Sequence, residues 1–220
     1  MTRIAEFVTD GWTAADLVAR FGAVPLHRIR YQPAPGTATE RDVIEIHDHE
    51  DRLYELIDGV LVEKTVGYYE SYLALLLGRL LGNHVAQKCL GILAGPDGMM
   101  RLAPGLVRIP DLSFISWDRL PERKVPREPI SDLAPDLAVE VISKSNTPEE
   151  MRQKLLDYFA AGVRLVWYVY PEPREVHVFT TPEQSTVFSE DQTLDGGDVL
   201  PGFRLSLREY FAEPKAPPAR

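Results

Sequence analysis

The chain has 220 residues, 45% of them apolar and 26% charged, so it can bury a sizeable core without disulfides or structural metals. It carries 24 Lys and Arg against 33 Asp and Glu, and the net charge of −9 disfavours tight nucleic-acid binding unless basic residues cluster locally. The single cysteine, Cys89, excludes an intrachain disulfide and favours a reducing compartment. No secretory leader and no apolar run of ~20 residues is evident, so we expect a cytoplasmic protein without membrane contact.

The N-terminal part of the chain has weak periodicity. Thr13 and Asp16 resemble a capping box, and the apolar residues behind them predict a short amphipathic helix. Residues 30–51 show no sustained period and are interpreted as a connecting segment. His47 and His49 form an H-x-H pair in this segment. A solvated turn is favoured over a metal site, because alternate residues of a loop share no fixed face.

A β-hairpin is the clearest local signal. Two apolar runs, 53–57 and 60–64, flank Asp58-Gly59, a pair that tolerates positive φ in a two-residue turn. The next segment keeps a 3.6-residue apolar period until Gly82, which predicts a helix that packs on a sheet. Short apolar runs separated by turns then predict three strands, at residues 91–94, 99–102 and 106–115.

The second half alternates strands and helices. Residues 137–142 form a nearly continuous apolar run, typical of a central strand buried on both faces. A helix is predicted next, ending near Gly162. Its start is indicated by Thr147 as N-cap, Pro148 in the first turn and Glu150 as capping-box acid. Further strands are predicted at 163–170 and 175–180.

This order of elements predicts an α/β fold in which helices pack on a mixed β-sheet. We expect an N-terminal helical and irregular appendage at residues 1–50 and a globular domain at residues 51–212. The proline-rich end, residues 213–220, is expected to be a disordered tail.

Glu140 is the anomalous residue, because a carboxylate inside an apolar strand is costly unless it is compensated. An ion pair with Lys or Arg and a Mg²⁺ site both satisfy this need, and both remain open. Asp111, in a similarly apolar run, is the candidate second carboxylate. Asp136 lies four residues from Glu140, about 13 Å along a strand, which is too far to share an ion. Glu55 interrupts the hairpin strand in the same manner, although a solvated edge is the commoner explanation for such a residue.

Four segments carry a resemblance to a known family. They are YELIDG at 54–59, PDLSF at 110–114, PDLAVEVIS at 135–143, and Lys154 with Tyr158, Gly162 and Val166-Trp167. In their order and spacing they resemble the Uma-type ("Uma two") family of restriction-endonuclease-like proteins, part of the PD-(D/E)XK nuclease superfamily. The resemblance covers approximately residues 53–211.

The resemblance implies a restriction-endonuclease-like mixed sheet and roles for particular residues. Asp111 would be the metal-binding aspartate and Glu140 the acid of the E-x-K signature, with the Val141 carbonyl as a further ligand. Glu55 would assist by holding a second ion or a metal-bound water. Mg²⁺ is the implied cofactor, with Mn²⁺ as the alternative. A homodimer is one assembly that the sequence leaves open.

The sequence departs from the signature at the lysine. The position two after Glu140 is Ile142, and the family pattern suggests that the lysine has moved onto the following helix, at Lys154. Lys154 lies about 60° around a helix from Met151, at the border of the buried stripe, so it could point toward Glu140. A solvent-facing lysine is the alternative interpretation, and Lys144 is a competitor.

A loop at residues 117–134 supplies a local basic patch that would bind substrate, and its cations are Arg119, Arg123, Lys124 and Arg127. The loop joins the Asp111 strand to the Glu140 strand and could reach a phosphate backbone, although interspersed acids also fit a solvated loop. The implied function is metal-dependent hydrolysis of DNA phosphodiester bonds. A nuclease-fold binding or assembly module with little or no catalysis, and a phosphodiesterase on RNA or small substrates, remain alternatives.

Overall fold

The structure is a computed structural model that describes residues 11–65 and 67–214. Its helices are α1 (Ala14–Phe21), α2 (Glu40–Glu50), α3 (Tyr68–Lys88), α4 (Pro148–Ala160) and α5 (Leu207–Tyr210). Its strands are β1 (Tyr54–Ile57), β2 (Val60–Glu63), β3 (Gly91–Ala94), β4 (Met99–Ala103), β5 (Leu106–Arg108), β6 (Leu112–Ser116), β7 (Ile130–Ser131), β8 (Leu137–Val141), β9 (Leu165–Tyr170), β10 (Glu175–Thr181), β11 (Gln184–Phe188), β12 (Thr193–Asp195) and β13 (Arg204–Ser206). Most of the predicted tail, residues 215–220, lies outside the described residues.

Two mixed sheets organise the fold. The five-stranded sheet has the order β2-β1-β5-β4-β7, and the six-stranded sheet has the order β11-β10-β9-β8-β6-β3. β8 is central in the larger sheet, antiparallel to β6 and parallel to β9. All five of its residues are buried, as a central strand between covering layers requires.

Local sequence signals explain the elements that carry the site. Asp58 and Gly59 have φ values of 50° and 76°, so the two-residue turn aligns β1 with β2 as predicted. Thr147 is the N-cap of helix α4, and its hydroxyl accepts a hydrogen bond from the Glu150 N–H at 3.1 Å. The predicted hairpin and the predicted start of α4 are both confirmed.

The segment at residues 30–51 was wrongly predicted to be irregular, because α2 occupies its second half. Thr39 and Asp42 form a capping box, and Val43 and Ile46 are buried against the five-stranded sheet. With only these two residues buried in a strongly acidic stretch, α2 shows little of the apolar periodicity that predicts a helix. His47 and His49 therefore lie on a helix rather than in a turn, about 160° apart around its axis.

Two boundaries also differ from expectation. Helix α3 continues six residues beyond Gly82, because Leu81 and Val85 are buried in the main core and outweigh the roughly 1 kcal/mol cost of a helical glycine. The apolar run 106–115 is two strands rather than one, since Pro110 cannot donate to a ladder and the chain crosses between the sheets there.

The predicted appendage packs on the hairpin. Leu17 and Phe21 of α1 share a buried cluster with residues of β1 and β2. Arg28, 3% exposed, makes a two-pronged ion pair with Glu150 of α4, at 3.0 and 2.8 Å. The domain boundary at residue 50 stays a prediction. Within residues 11–65 and 67–214, no helix combines the length and the apolar character that a membrane span would need.

Candidate active site

Five charged side chains meet around a small internal cavity. They form what we call the charged cluster, which consists of Glu55, Lys64, Asp111, Glu140 and Lys154. Their side chains are only 4–11% exposed. The cavity has a volume of about 20 Å³, and its wall is completed by Arg28, Thr65, Val141 and Asn146. The four residues that the sequence predicted as catalytic are thus brought together.

Both sheets and one helix supply the charged cluster. Glu55 lies on β1 of the five-stranded sheet, and Glu140 lies on β8 of the six-stranded sheet. Asp111 stands in the crossing between β5 and β6, where its N–H donates to the Val139 carbonyl at 3.0 Å. Lys154 reaches in from the second turn of α4. The crossing at Pro110 places Asp111 between the sheet that carries Glu55 and the sheet that carries Glu140.

Lys154 joins the acids of the two sheets. Its Nζ lies 2.9 Å from Glu140 Oε1 and 3.0 Å from Glu55 Oε1. Burial alone would lower the pKa of this ammonium, but attraction by Glu140 and Glu55 outweighs burial and raises the pKa well above its usual value. Lys144, the competing candidate, is 92% exposed and faces Glu172. Of the two candidate lysines, Lys154 is therefore the one that lies at the cavity.

Glu140 is held through one oxygen. Its Oε1 accepts hydrogen bonds from Lys154 at 2.9 Å and from the Tyr158 hydroxyl at 2.5 Å. Burial raises the pKa of Glu140, Lys154 opposes that rise, and the nearby charge of Asp111 adds to it. No hydrogen bond from residues 11–65 or 67–214 reaches its other oxygen, Oε2.

Glu55 is the most strongly neutralised acid of the cluster. Besides Lys154, Arg108 donates to its Oε2 at 2.7 Å and the Ile109 N–H donates to its Oε1 at 3.1 Å. Burial opposes ionisation, yet the positive charges of Lys154 and Arg108 prevail and lower the pKa of Glu55 to about 2. Arg108 in turn pairs with Asp157 of α4. This chain of charges ties β1, β5 and α4 together.

Asp111 has a partner on each oxygen. Its Oδ1 lies 2.9 Å from Lys64 Nζ, and its Oδ2 accepts a hydrogen bond from the Val141 N–H at 2.7 Å. Val141 was predicted to contribute its carbonyl, but the contact present here is made by its amide. Lys64 follows the last residue of β2, and its Nζ also donates to the Ile109 carbonyl at 2.6 Å.

The sequence matches one family of known proteins over most of its length. The model of the Uma2 family, described as "Putative restriction endonuclease", matches residues 41–208, which is more than half of the chain. The chain belongs to the Uma2 family. The predicted resemblance is therefore confirmed, and the matched range includes every member of the charged cluster. Among curated proteins, none matches this sequence.

A solved structure shares the fold. It is the crystal structure of a protein described as a putative nuclease belonging to DUF820 from Anabaena variabilis, and it superposes with a TM-score of 0.64. The two sequences are 17% identical, and the alignment covers 73% of this chain and 90% of that one. This likeness and the two mixed sheets flanked by helices confirm the predicted α/β fold of the Uma2 chain.

Arg119 of the predicted substrate-binding loop is engaged within the fold. Its Nε lies 3.0 Å from Asp136 Oδ1, and its guanidinium donates to the carbonyls of Ala134 and Gly162. Asp136, 2% exposed, also accepts a hydrogen bond from the Ser116 N–H, as expected of a strand-entry residue. These contacts fasten the end of the loop to the six-stranded sheet.

The other loop cations lie at the surface. Arg123 pairs with Asp118 at 2.9 Å, and Lys124 pairs with Glu122 at 2.5 Å. Lys124 and Arg127 border a surface depression of about 1110 Å³, separate from the residues that line the small cavity. The structure thus does not bring the loop cations to the charged cluster of this Uma2 chain.

The chemistry of the cluster suits a hard cation in part. Mg²⁺ is usually held by one or two carboxylates and keeps several waters, and Asp111 with Glu140 offers such a pair of ligands. Glu140 Oε2 is available as a metal ligand. Throughout 11–65 and 67–214, however, no three His, Cys, Asp or Glu side chains are grouped as a metal site. The two acids would hold the ion only with water or substrate oxygens completing its shell.

Sequence reasoning missed two residues of this region. Arg108 stands in an apolar run just as Glu55 and Glu140 do, and the same rule about buried charge would have identified it. Lys64 gave a weaker signal, because it follows Glu63 at the end of the hairpin and looks like an ordinary exposed pair. Only the fold shows that its ammonium turns inward to Asp111.

Proposed function

We propose that this Uma2 chain is a metal-dependent nuclease that hydrolyses phosphodiester bonds of DNA at the charged cluster. The observation that carries the proposal is the position of Lys154 Nζ, 2.9 Å from Glu140 Oε1 on a neighbouring element. Ile142 occupies the place where the superfamily signature has its lysine, and α4 supplies an ammonium in its stead. An acid pair with an adjacent buried ammonium is the equipment that phosphodiester hydrolysis needs.

Asp111 and Glu140 would hold Mg²⁺, or Mn²⁺ in its place. When bound, such an ion polarises a phosphate oxygen and lowers the pKa of a water molecule. Lys154 would stabilise the negative charge that develops on the phosphate, and its raised pKa keeps it protonated at neutral pH. Glu55 would hold Lys154 in place from the opposite side.

Supporting residues keep these groups oriented. The Tyr158 hydroxyl fixes Glu140 Oε1, the Val141 N–H fixes Asp111 Oδ2, and Arg108 fixes Glu55. Because these partners lie on strands or on a helix, the acids have little freedom to turn away from the cavity. The family's description as a restriction endonuclease supports DNA as the substrate. A cytoplasmic location and a homodimer stay predictions.

A second candidate is a nuclease-fold module that binds but does not cleave. It is favoured by the net charge of −9, which opposes DNA binding, and by the ammonium groups that already neutralise the cluster carboxylates. In that case the charged cluster would serve stability alone. Turnover in the presence of metal separates the two candidates.

The test combines calorimetric titration of Mg²⁺ and Mn²⁺ with plasmid cleavage on the same sample. Asp111→Asn and Glu140→Gln keep the side-chain shape and remove ligand charge, so each should abolish metal binding and cleavage while the fold persists. Glu172→Gln is the matched control, because Glu172 is 82% exposed and outside the cluster. Unchanged metal affinity in the Asp111 or Glu140 variant would refute the assigned ligands.

Lys154→Met tests the lysine separately. It keeps the aliphatic stem and removes the charge, so it should lower turnover far more than metal affinity, as expected of an interaction made in the transition state. Lys144→Met is its control, since that ammonium is 92% exposed. Equal turnover in the Lys154 variant and the wild type would show that this lysine has no catalytic role.

A further inference from the structure

Three oxygen atoms surround the Lys64 ammonium inside the protein. Its Nζ lies 2.6 Å from the Ile109 carbonyl oxygen, 3.3 Å from the Pro96 carbonyl oxygen and 2.9 Å from Asp111 Oδ1. The two carbonyl oxygens accept hydrogen bonds from the ammonium, and Asp111 is its ion-pair partner. With a side chain only 5% exposed, Lys64 is a buried counterion of Asp111.

The space beside Asp111 is too small for a hydrated ion. The cavity of about 20 Å³ can hold roughly one water molecule. Mg²⁺ gives up its waters reluctantly and usually keeps several of them. Lys64 places a positive charge 2.9 Å from Oδ1 and the Val141 N–H occupies Oδ2, so a cation that approaches Asp111 meets both a like charge and a lack of space. The backbone amide belongs to β8, so the lysine is the partner able to move.

The two cluster lysines differ in their freedom. Lys154 lies in the middle of α4, with both of its acid partners on strands. Lys64 lies beyond the end of β2 and precedes the exposed Thr65, so its stem can swing toward solvent without disturbing a strand. Solvation of the freed ammonium offsets the hydrogen bonds that it gives up.

We propose that Lys64 is a resident counterion that a divalent cation must displace from Asp111, so that this side chain sets the metal affinity of the site. The inference rests on the proposed function, because it takes Asp111 to be a metal ligand. Lys154 stabilises charge on the substrate, whereas Lys64 competes with the ion. Removing each lysine should therefore change different quantities.

Calorimetric titration of Mg²⁺ into wild-type protein and into Lys64→Met tests the proposal without any cleavage assay. The variant should bind Mg²⁺ about tenfold more tightly, the affinity equivalent of one hydrogen bond to a charged group. Its thermal midpoint should also rise more with added Mg²⁺ than that of wild type, since the ion replaces the missing positive charge. Lys144→Met should behave as wild type does.

The outcomes separate this inference from the proposed function. If wild type binds Mg²⁺ and Lys64→Met binds it no more tightly, the counterion role is wrong and the metal site stands. If neither protein binds Mg²⁺ or Mn²⁺, both proposals are wrong. Tighter binding by Lys64→Met together with unchanged affinity in Lys154→Met supports the division of roles between the two lysines.

A measurement on the wild type covers the case in which Lys64→Met fails to fold. With ¹⁵N-labelled lysine, the Lys64 Nζ resonance can be assigned by its loss in Lys64→Arg. Saturating Mg²⁺ should shift this resonance to the position of solvent-exposed lysines and accelerate its proton exchange. A resonance that keeps its position and slow exchange at saturating Mg²⁺ would show that the ammonium stays on Asp111 and would overturn the proposal.

Discussion

The bond between Lys154 and Glu140 can be tested as a stability term, independently of catalysis. Lys154→Met removes a positive partner from Glu55 and from Glu140, but the two carboxylates keep different numbers of other partners. Glu55 keeps Arg108 at 2.7 Å and the Ile109 N–H at 3.1 Å, whereas Glu140 keeps only the Tyr158 hydroxyl among the partners described above. Breaking a buried ion pair from one side costs about 3–5 kcal/mol. Because Glu55 stays compensated, we expect a loss of about 3 kcal/mol, at the lower end of that range.

The destabilisation should depend on pH with a definite sign. Burial already raises the pKa of Glu140, and removing the ammonium raises it further. For an acid whose folded-state pKa exceeds the unfolded value, protonation favours the folded state. The penalty of Lys154→Met is therefore fully present at pH values above the raised pKa of Glu140 in the folded variant, and it disappears as the pH falls from there to the folded-state pKa of Glu140 in the wild type.

Urea titration and a thermal scan, both followed by tryptophan fluorescence, measure this effect, because Trp167 is fully buried and packs against Phe203. At pH 8 the thermal midpoint should fall by about 6–12 °C, taking roughly 2–4 °C per kcal/mol for a chain of this size. Lys144→Met should change the free energy of unfolding by less than about 0.5 kcal/mol.

A double-mutant cycle decides whether the two residues are coupled. In a Glu140→Gln background no charge is left stranded on β8, so Lys154→Met should cost at least about 1.5 kcal/mol less than it does in wild type. Equal costs in the two backgrounds would refute the argument, since the destabilisation would then come from packing of the lysine stem alone.

Three further predictions concern the surrounding charges. Arg108→Met should lower the free energy of unfolding by about 3–5 kcal/mol in urea titrations, because it strands buried Glu55 and Asp157. The pKa of Glu55 is lowered to about 2, so the ionised carboxylate contributes its full stability at pH values above the ordinary pKa of a glutamate. That contribution is lost as the pH falls from there toward 2. Glu55→Gln should therefore flatten the dependence of the free energy of unfolding on pH in this interval. Arg123→Ala with Lys124→Ala should leave stability within about 0.5 kcal/mol of wild type, since both pairs are exposed, and should reduce the salt slope of DNA binding by about 0.9 for each phosphate that the two cations neutralise in the wild type.

The sequence identifies in advance most of the charged residues that meet at the cavity. Glu55, Asp111 and Glu140 are each conspicuous because a charge in an apolar strand needs a partner, and all three border one cavity. Lys154 is predictable from the helical spacing of α4 together with the family pattern. These signals are local, so a single sequence contains them.

The remaining features depend on long-range contacts. Nothing near Lys64 indicates that its ammonium turns toward Asp111, 47 positions later, because that contact exists only after β5 crosses into β6. The division into two sheets has the same origin, since Pro110 marks a break but not the direction the chain takes. Helix α2 was missed because only Val43 and Ile46 are fully buried on it.

The crossing at Pro110 also bears on the order in which the protein matures. Glu55 and Lys64 emerge early from the ribosome, but Glu140 needs β8, and β8 is held by β9, whose last residue is Tyr170. Domains fold as units while synthesis runs from the N-terminus. A nascent chain that stops short of Tyr170 therefore lacks the pairing with β9 that holds β8, and its centre is not assembled. Catalytic competence on the proposed mechanism is acquired late and all at once.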